Sequence, residues 1–194
     1  MLLTNAFEVD QPVDKVWSFF NDIPQVAACL PGAELTEDRG DDSYEGRVAV
    51  RMGPVKLQFN GTAKIVERDE AARRVVVDAA GADEKGRGQA SVLVTATLGS
   101  TARGTKVDLQ QDLQLSGAAA QYGRGMISDV TTVLMGQFAS NMQQRIEAVE
   151  RGVSPDQLGP AKAASGFSIG MRAMRLALAR VFRRFFLPYQ PTQS

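Results

Sequence analysis

"GTKVDLQQDLQLSG", residues 104–117, decides how the rest of the chain is read. Val107, Leu109, Leu113 and Leu115 alternate with Lys106, Asp108, Gln110, Asp112 and Gln114. A strand sends successive side chains to opposite faces, so this is a strand with one apolar and one solvated face. A face left to water belongs to an antiparallel sheet, because parallel sheets are covered on both sides.

The same rhythm runs upstream. In "SYEGRVAVRM" (43–52), Tyr44, Gly46, Val48, Val50 and Met52 alternate with Glu45, Arg47, Ala49 and Arg51. Beyond a Gly53-Pro54 turn, Val55, Leu57, Phe59, Ala63 and Ile65 alternate with Lys56, Gln58, Asn60, Thr62 and Lys64. "RRVVVDAAG" is a shorter run, and "GQASVLVTATLG" puts Ala90, Val92, Val94, Ala96 and Leu98 on one face. The turns between these runs are short and glycine-rich, as a meander of about six strands requires. Ahead of them, "LLTNAFEV" reads as a first strand. "QPVDKVWSFFND" reads as a helix, with Pro12 in its first turn and Val13, Val16, Trp17 and Phe20 on one face. "IPQVAACL" reads as a second, short helix ended by Pro31-Gly32.

After the strands, one long helix is predicted from about Ala118 to Arg151. Its apolar positions include Tyr122, Met126, Ile127, Val130, Val133, Leu134, Phe138, Met142 and Ile146. Gly123, Gly125 and Gly136 fall inside it, and each costs up to about 1 kcal/mol against alanine. Either they let the helix approach the sheet closely or they leave room for a ligand. The order of elements is α+β: a curved antiparallel sheet wraps a long C-terminal helix, with the helices on one face.

A cavity between sheet and helix has a definite expected lining. From the strands it takes Val48, Val50, Leu57, Phe59, Val94, Ala96, Leu109 and Leu113. From the helix it takes Met126, Ile127, Val130, Leu134 and Phe138. The same residues would equally fill a solid core, because a site needs missing volume as well as apolar lining.

The chain is expected to divide into a domain over 1–151, a flexible linker over 152–167 and a basic amphipathic helix over 168–188. In "SIGMRAMRLALARVFRRFFLP" (168–188), Met171, Met174, Leu178, Val181, Phe182 and Phe185 share a helical face. Arg172, Arg175, Arg180, Arg183 and Arg184 share the other, and Phe186 extends the aromatic end before Pro188. Five arginines spread along the segment argue against a membrane span. Apolar side chains turned into lipid and arginines on anionic headgroups fit better. A groove on a partner protein and a self-association interface are the alternatives.

Charge supports this reading. Net charge is zero, with 22 basic and 22 acidic residues, yet no acid follows Asp156. Lys162 and the five arginines therefore form a cationic tail on an acidic body. Nucleic acid is a poor partner, since the body would repel phosphates and the aromatics lie on an apolar face.

The chain has no histidine, which removes the commonest general base and metal ligand. Its single cysteine, Cys29, permits no intramolecular disulfide, and the N-terminus lacks the pattern of a signal peptide. A cytoplasmic location follows as the expectation. Cys29 beside Leu30-Pro31 reads as a packing residue. "GADEKGRG", with Asp83 and Glu84 near Lys85, reads as a solvated turn, and "DRGDD" (38–42) as an exposed acidic hairpin. No metal site or catalytic site emerges.

Residues 1–150 resemble the carbon monoxide dehydrogenase G-subunit family of the START-like, helix-grip superfamily. The resemblance rests on "VWSFFND", on "CLPGAE" (29–34), on "VAVRMGPVKLQFNGTAKIVERDE" (48–70) and on "EKGRGQASV" (84–92). It implies a helix-grip fold whose cavity holds an apolar ligand, and a link to a molybdenum-containing carbon monoxide dehydrogenase or related hydroxylase. It also implies attachment to the inner face of the cell membrane, for which 168–188 looks suited. A dehydrogenase feeding respiration must reach a quinone dissolved in the bilayer. The expectation is therefore a non-enzymatic carrier of a quinone (menaquinone or ubiquinone), with a ligand-free recruitment adaptor as the alternative.

Overall fold

A computed structural model describes residues 1–52 and 55–160. β1 (Leu2–Val9) precedes two short helices, α1 (Val13–Phe20) and α2 (Ile23–Cys29). Six strands follow: β2 (Ala33–Gly40), β3 (Ser43–Met52), β4 (Val55–Asp69), β5 (Arg74–Asp83), β6 (Gln89–Ser100) and β7 (Thr105–Leu115). A 3-10 turn at Gly117–Gln121 leads into α3 (Arg124–Glu150), and another spans Pro155–Gln157. The sheet order is β1-β7-β6-β5-β4-β3-β2, every pair antiparallel. Six consecutive strands thus pair as a meander, and β1 closes the sheet beside β7. This is the α+β helix-grip architecture, a curved sheet around a long C-terminal helix.

The local reasons are visible in the sequence. Along β7 burial alternates from Thr105 to Asp112, buried then exposed, as the opening stretch requires. Val16, Trp17 and Phe20 are the buried face of α1, and Pro12 stands one position ahead of that helix rather than in its first turn. The Asp22 carboxylate caps α2 by accepting from the Gln25 N–H at 3.1 Å. Between β2 and β3, Asp41 and Asp42 turn the chain with φ of 50° and 56°.

The long helix starts later than its apolar pattern suggests. Gly117 has φ +66°, and the Ala118 N–H donates to the Arg87 carbonyl at 2.7 Å. This draws residues 117–121 to the β5–β6 turn. Tyr122 and Gly123 are extended, so the helix begins only at Arg124. The expected role of the helix glycines also fails: Gly123, Gly125 and Gly136 are all exposed. A Cβ added to Gly123 or Gly136 would meet nothing within 4 Å. They neither admit the sheet nor make room beneath it.

The C-terminal half of α3 is packed solid. Phe138, Met142 and Ile146 sit in one cluster with Val16, Trp17, Phe20, Leu98, Val107 and Leu109. Phe138 meets Phe7 and Phe20 edge-on, with ring centroids 5.9 and 6.4 Å apart. Burying each such side chain contributes about 1.5–3 kcal/mol. Farther along, Arg145 is only 6% exposed. It donates to Gln25 Oε1 at 2.7 Å and to the Leu158 and Gly159 carbonyls at 2.6 Å. Two residues of the expected linker are thereby bonded to α3. The rest of that segment, 161–167, and the whole of 168–188 lie outside the described residues.

Candidate functional site: an apolar cavity under the long helix

The N-terminal half of α3 bridges an empty space. Between it and the sheet lies a cavity of about 440 Å³ with an almost wholly apolar lining. That volume is within the range of small-molecule sites, roughly 300–1,000 Å³. Ile127, Val130, Thr131, Leu134 and Met135 line it from the helix, and Ala27 and Leu30 from α2 and its C-terminal end.

The space exists because the middle of the sheet carries almost no side chains. Gly46 pairs with Gly61, Gly61 with Gly81, and Gly81 with Ala90, so four adjacent strands place glycine or alanine in one row. The next row runs Tyr44, Ala63, Ala79, Val92, Leu113. All of these residues line the cavity. The glycines also allow a sharp bend. A Cβ on Gly61 would run into the Ala80 carbonyl oxygen, and one on Gly81 would come 2.9 Å from that of Asn60. Glycine within a strand marks such close backbone approach and lets the sheet curl around the helix.

Of the residues expected to line a cavity, the structure brings eight together: Val48, Val50, Phe59, Val94, Leu113, Ile127, Val130 and Leu134. Five lie elsewhere. Ala96, Leu109 and Phe138 belong to the solid core around α1. Leu57, 1% exposed, packs with Phe59 and Ala119 beneath the 3-10 turn. Met126 is 45% exposed, because it sits about 100° around the helix from its inward neighbour Ile127. Alternation identifies the inner face but not where along it the filled core gives way to the hollow.

What sequence reasoning missed is the small and polar part of the lining. Gly61, Ala79 and Gly81 carry no hydrophobic signal, although they occupy inward registers of β4 and β5. Thr62, Ser91 and Thr131 are further omissions, and so is Gln111. It sits in the apolar register of β7, is 8% exposed, and lines the cavity. Tyr44 lines it from the β3 side, and burial is the chief cause that raises its phenol pKa above the ordinary value.

Glu34, Glu45 and Arg47 also line the cavity, and each is ion-paired: Arg47 with Glu34 at 2.8 Å, and Glu45 with Arg39. The expected solvated turn at Asp83 is corrected: the Asp83 side chain has no exposed surface. It accepts from Arg87 Nε and NH2 at 2.8 Å each and from the N–H groups of Gln58 (3.1 Å), Lys85 (3.1 Å) and Arg87 (3.3 Å). The Arg87 guanidinium holds its carboxyl well below the usual carboxylate range, aided by those backbone donors. A donor set this complete locks the β5–β6 turn and leaves no oxygen free for acid–base work. Cys29 is fully buried in the core, and burial pushes its thiol up to about 12, so it stays neutral and inert. Among the described residues no group of acidic or cysteine side chains is arranged to hold a metal ion. Among them, too, no helix is long and apolar enough to cross a membrane.

The fold and the cavity define the class: a helix-grip protein with an apolar, ligand-sized hollow between sheet and helix. The family model of the carbon monoxide dehydrogenase G subunit (CoxG) matches residues 6–147, and the chain belongs to that family. No curated protein matches the chain. Among solved structures it is similar to a conserved protein from Geobacillus kaustophilus, with 19% identity over 76% of this chain and 95% of that one, at a TM-score of 0.68. It is also similar to the ZhuI aromatase/cyclase from Streptomyces sp. R1128, with 16% identity over 78% of this chain and 96% of that one, at a TM-score of 0.55. At these identities the likeness is one of fold.

Proposed function

We propose that this protein is a non-enzymatic carrier of an apolar ligand, best a respiratory quinone (menaquinone or ubiquinone). It would serve a molybdenum-containing carbon monoxide dehydrogenase or a related hydroxylase, from the inner face of the cell membrane. The observation that carries the proposal is the 440 Å³ apolar cavity, which has the size and chemistry to take a quinone ring. The family supports the dehydrogenase as partner. The basic amphipathic pattern of residues 168–188 supports an anionic membrane surface as the place of loading. A recruitment adaptor with a filled interior is the weaker reading, since a filled interior would not need a row of glycine and alanine across four strands.

The test is native mass spectrometry with organic extraction, on protein purified from its own host. One quinone per chain is the expected result. A clean ligand-free mass, with no uptake of added quinone, would overturn the carrier and leave the adaptor.

A further inference from the structure

Gln111 is the buried amide of the cavity, and a hydrogen-bond chain fixes which end of it faces inward. The chain starts at the surface. Thr132, exposed on α3, donates its hydroxyl proton to the Ser128 carbonyl one turn back at 2.9 Å. Its oxygen can then only accept, and the Asn5 side-chain NH2 donates to it at 3.2 Å. Asn5 must therefore turn its carbonyl oxygen toward Gln111, whose Nε2 donates to it at 3.0 Å. The amide of Gln111 is thus oriented by partners outside the cavity. Its remaining acceptor, Oε1, has no hydrogen-bond partner among the described residues.

We infer that Gln111 is a specificity-determining residue that accepts a hydrogen bond from a hydroxyl group on the cavity's apolar ligand. This rests on the carrier reading and refines it: the hydroxyl-bearing, reduced form of a quinone is held in preference to the dicarbonyl form. A carbonyl oxygen has no proton to give and would meet Oε1 as acceptor against acceptor. A hydroxyl supplies the donor that Oε1 lacks among the described residues. Tyr44, the phenol of the lining, both donates and accepts, so it carries no such preference. Asn5 and Thr132 are positioning residues, acting through Gln111.

The test uses the full-length chain and three probes of one ring size: β-naphthol, its methyl ether, and naphthoquinone, each titrated calorimetrically. β-Naphthol is expected to bind about 10-fold more tightly than the other two. Gln111→Leu should abolish that ratio while the methyl ether still binds. Thr132→Val alters only an exposed side chain and frees the amide chain to reverse, so it too should shrink the ratio. Tyr44→Phe should leave it in place. Equal binding of all three probes to the unaltered protein, or a ratio lost in Tyr44→Phe and kept in Gln111→Leu, would overturn the inference and leave the carrier standing. Binding of none of the three would bring down both.

Discussion

Asp83 shows how one side chain sets the geometry of a distant wall. Its carboxylate gathers the β5–β6 turn around itself, and Arg87 of that turn donates through NH2 to the Lys56 carbonyl on β4 at 2.9 Å. The Arg87 carbonyl in turn holds Ala118, next to Ala119, which lines one end of the cavity. Since the folded-state pKa is depressed, the stability that Asp83 supplies is fully present above its unfolded value of about 3.9 and is lost as pH falls through the lower folded value. Asp83→Asn should lower the melting temperature at neutral pH. The gap between the two proteins should narrow as pH falls from about 5 to 2, which thermal melts across that range will measure. A gap that stays constant would mean that ionisation of Asp83 is irrelevant to the turn.

At the scale of the element, α3 is two helices in one. From Ile127 to Met135 it roofs a hollow; from Phe138 to Ile146 it is a wedge in a filled core. The two halves should respond differently to the same kind of truncation. Phe138→Ala should cost about 3–5 kcal/mol in urea unfolding, the price of a cavity in a packed core. Leu134→Ala should cost only about 1 kcal/mol, because Leu134 already borders empty space and forfeits fewer contacts. Equal losses would show that the hollow collapses in solution. In the sheet the complementary change is Ala79→Phe, which places a ring in the row of small residues. The protein should stay folded by circular dichroism, and the binding of β-naphthol should fall by 10-fold or more, about 1.4 kcal/mol.

For the whole molecule, charge divides the labour. The acidic residues all lie within the first 156 positions, and the five arginines of the C-terminal segment lie beyond them. Each basic residue close to an anionic leaflet is worth about 1 kcal/mol, so the segment has enough attraction for reversible docking. Deleting residues 168–194 should leave a folded domain that no longer sediments with vesicles containing anionic lipid, while the cavity still takes up its probe. If the truncated chain still pellets with those vesicles, the membrane contact resides in the domain and not in the tail.

The sequence alone determined β1 and β3–β7, their antiparallel pairing and the inward registers, but not β2, which is mostly exposed and shows no sustained alternation. Val107, Leu109 and Leu113 announce their face by alternation, and alternation is a local property of the backbone. It determined the long helix as well, but not its start. The contact that draws residues 117–121 aside comes from Arg87, 31 positions before Ala118. It could not separate Leu134 from Phe138 or Val48 from Leu57, because all four face inward and differ only in what stands opposite. The hollow itself was decided by tertiary structure. Gly46, Gly61, Gly81 and Ala90 are scattered over 45 residues, and they empty the sheet's centre only once four strands pair in one register. The direction of the Gln111 amide was decided in the same way, by Asn5 and Thr132 from distant parts of the chain. Hydrophobic pattern is written residue by residue, whereas missing volume and hydrogen-bond polarity exist only between residues that folding has brought together.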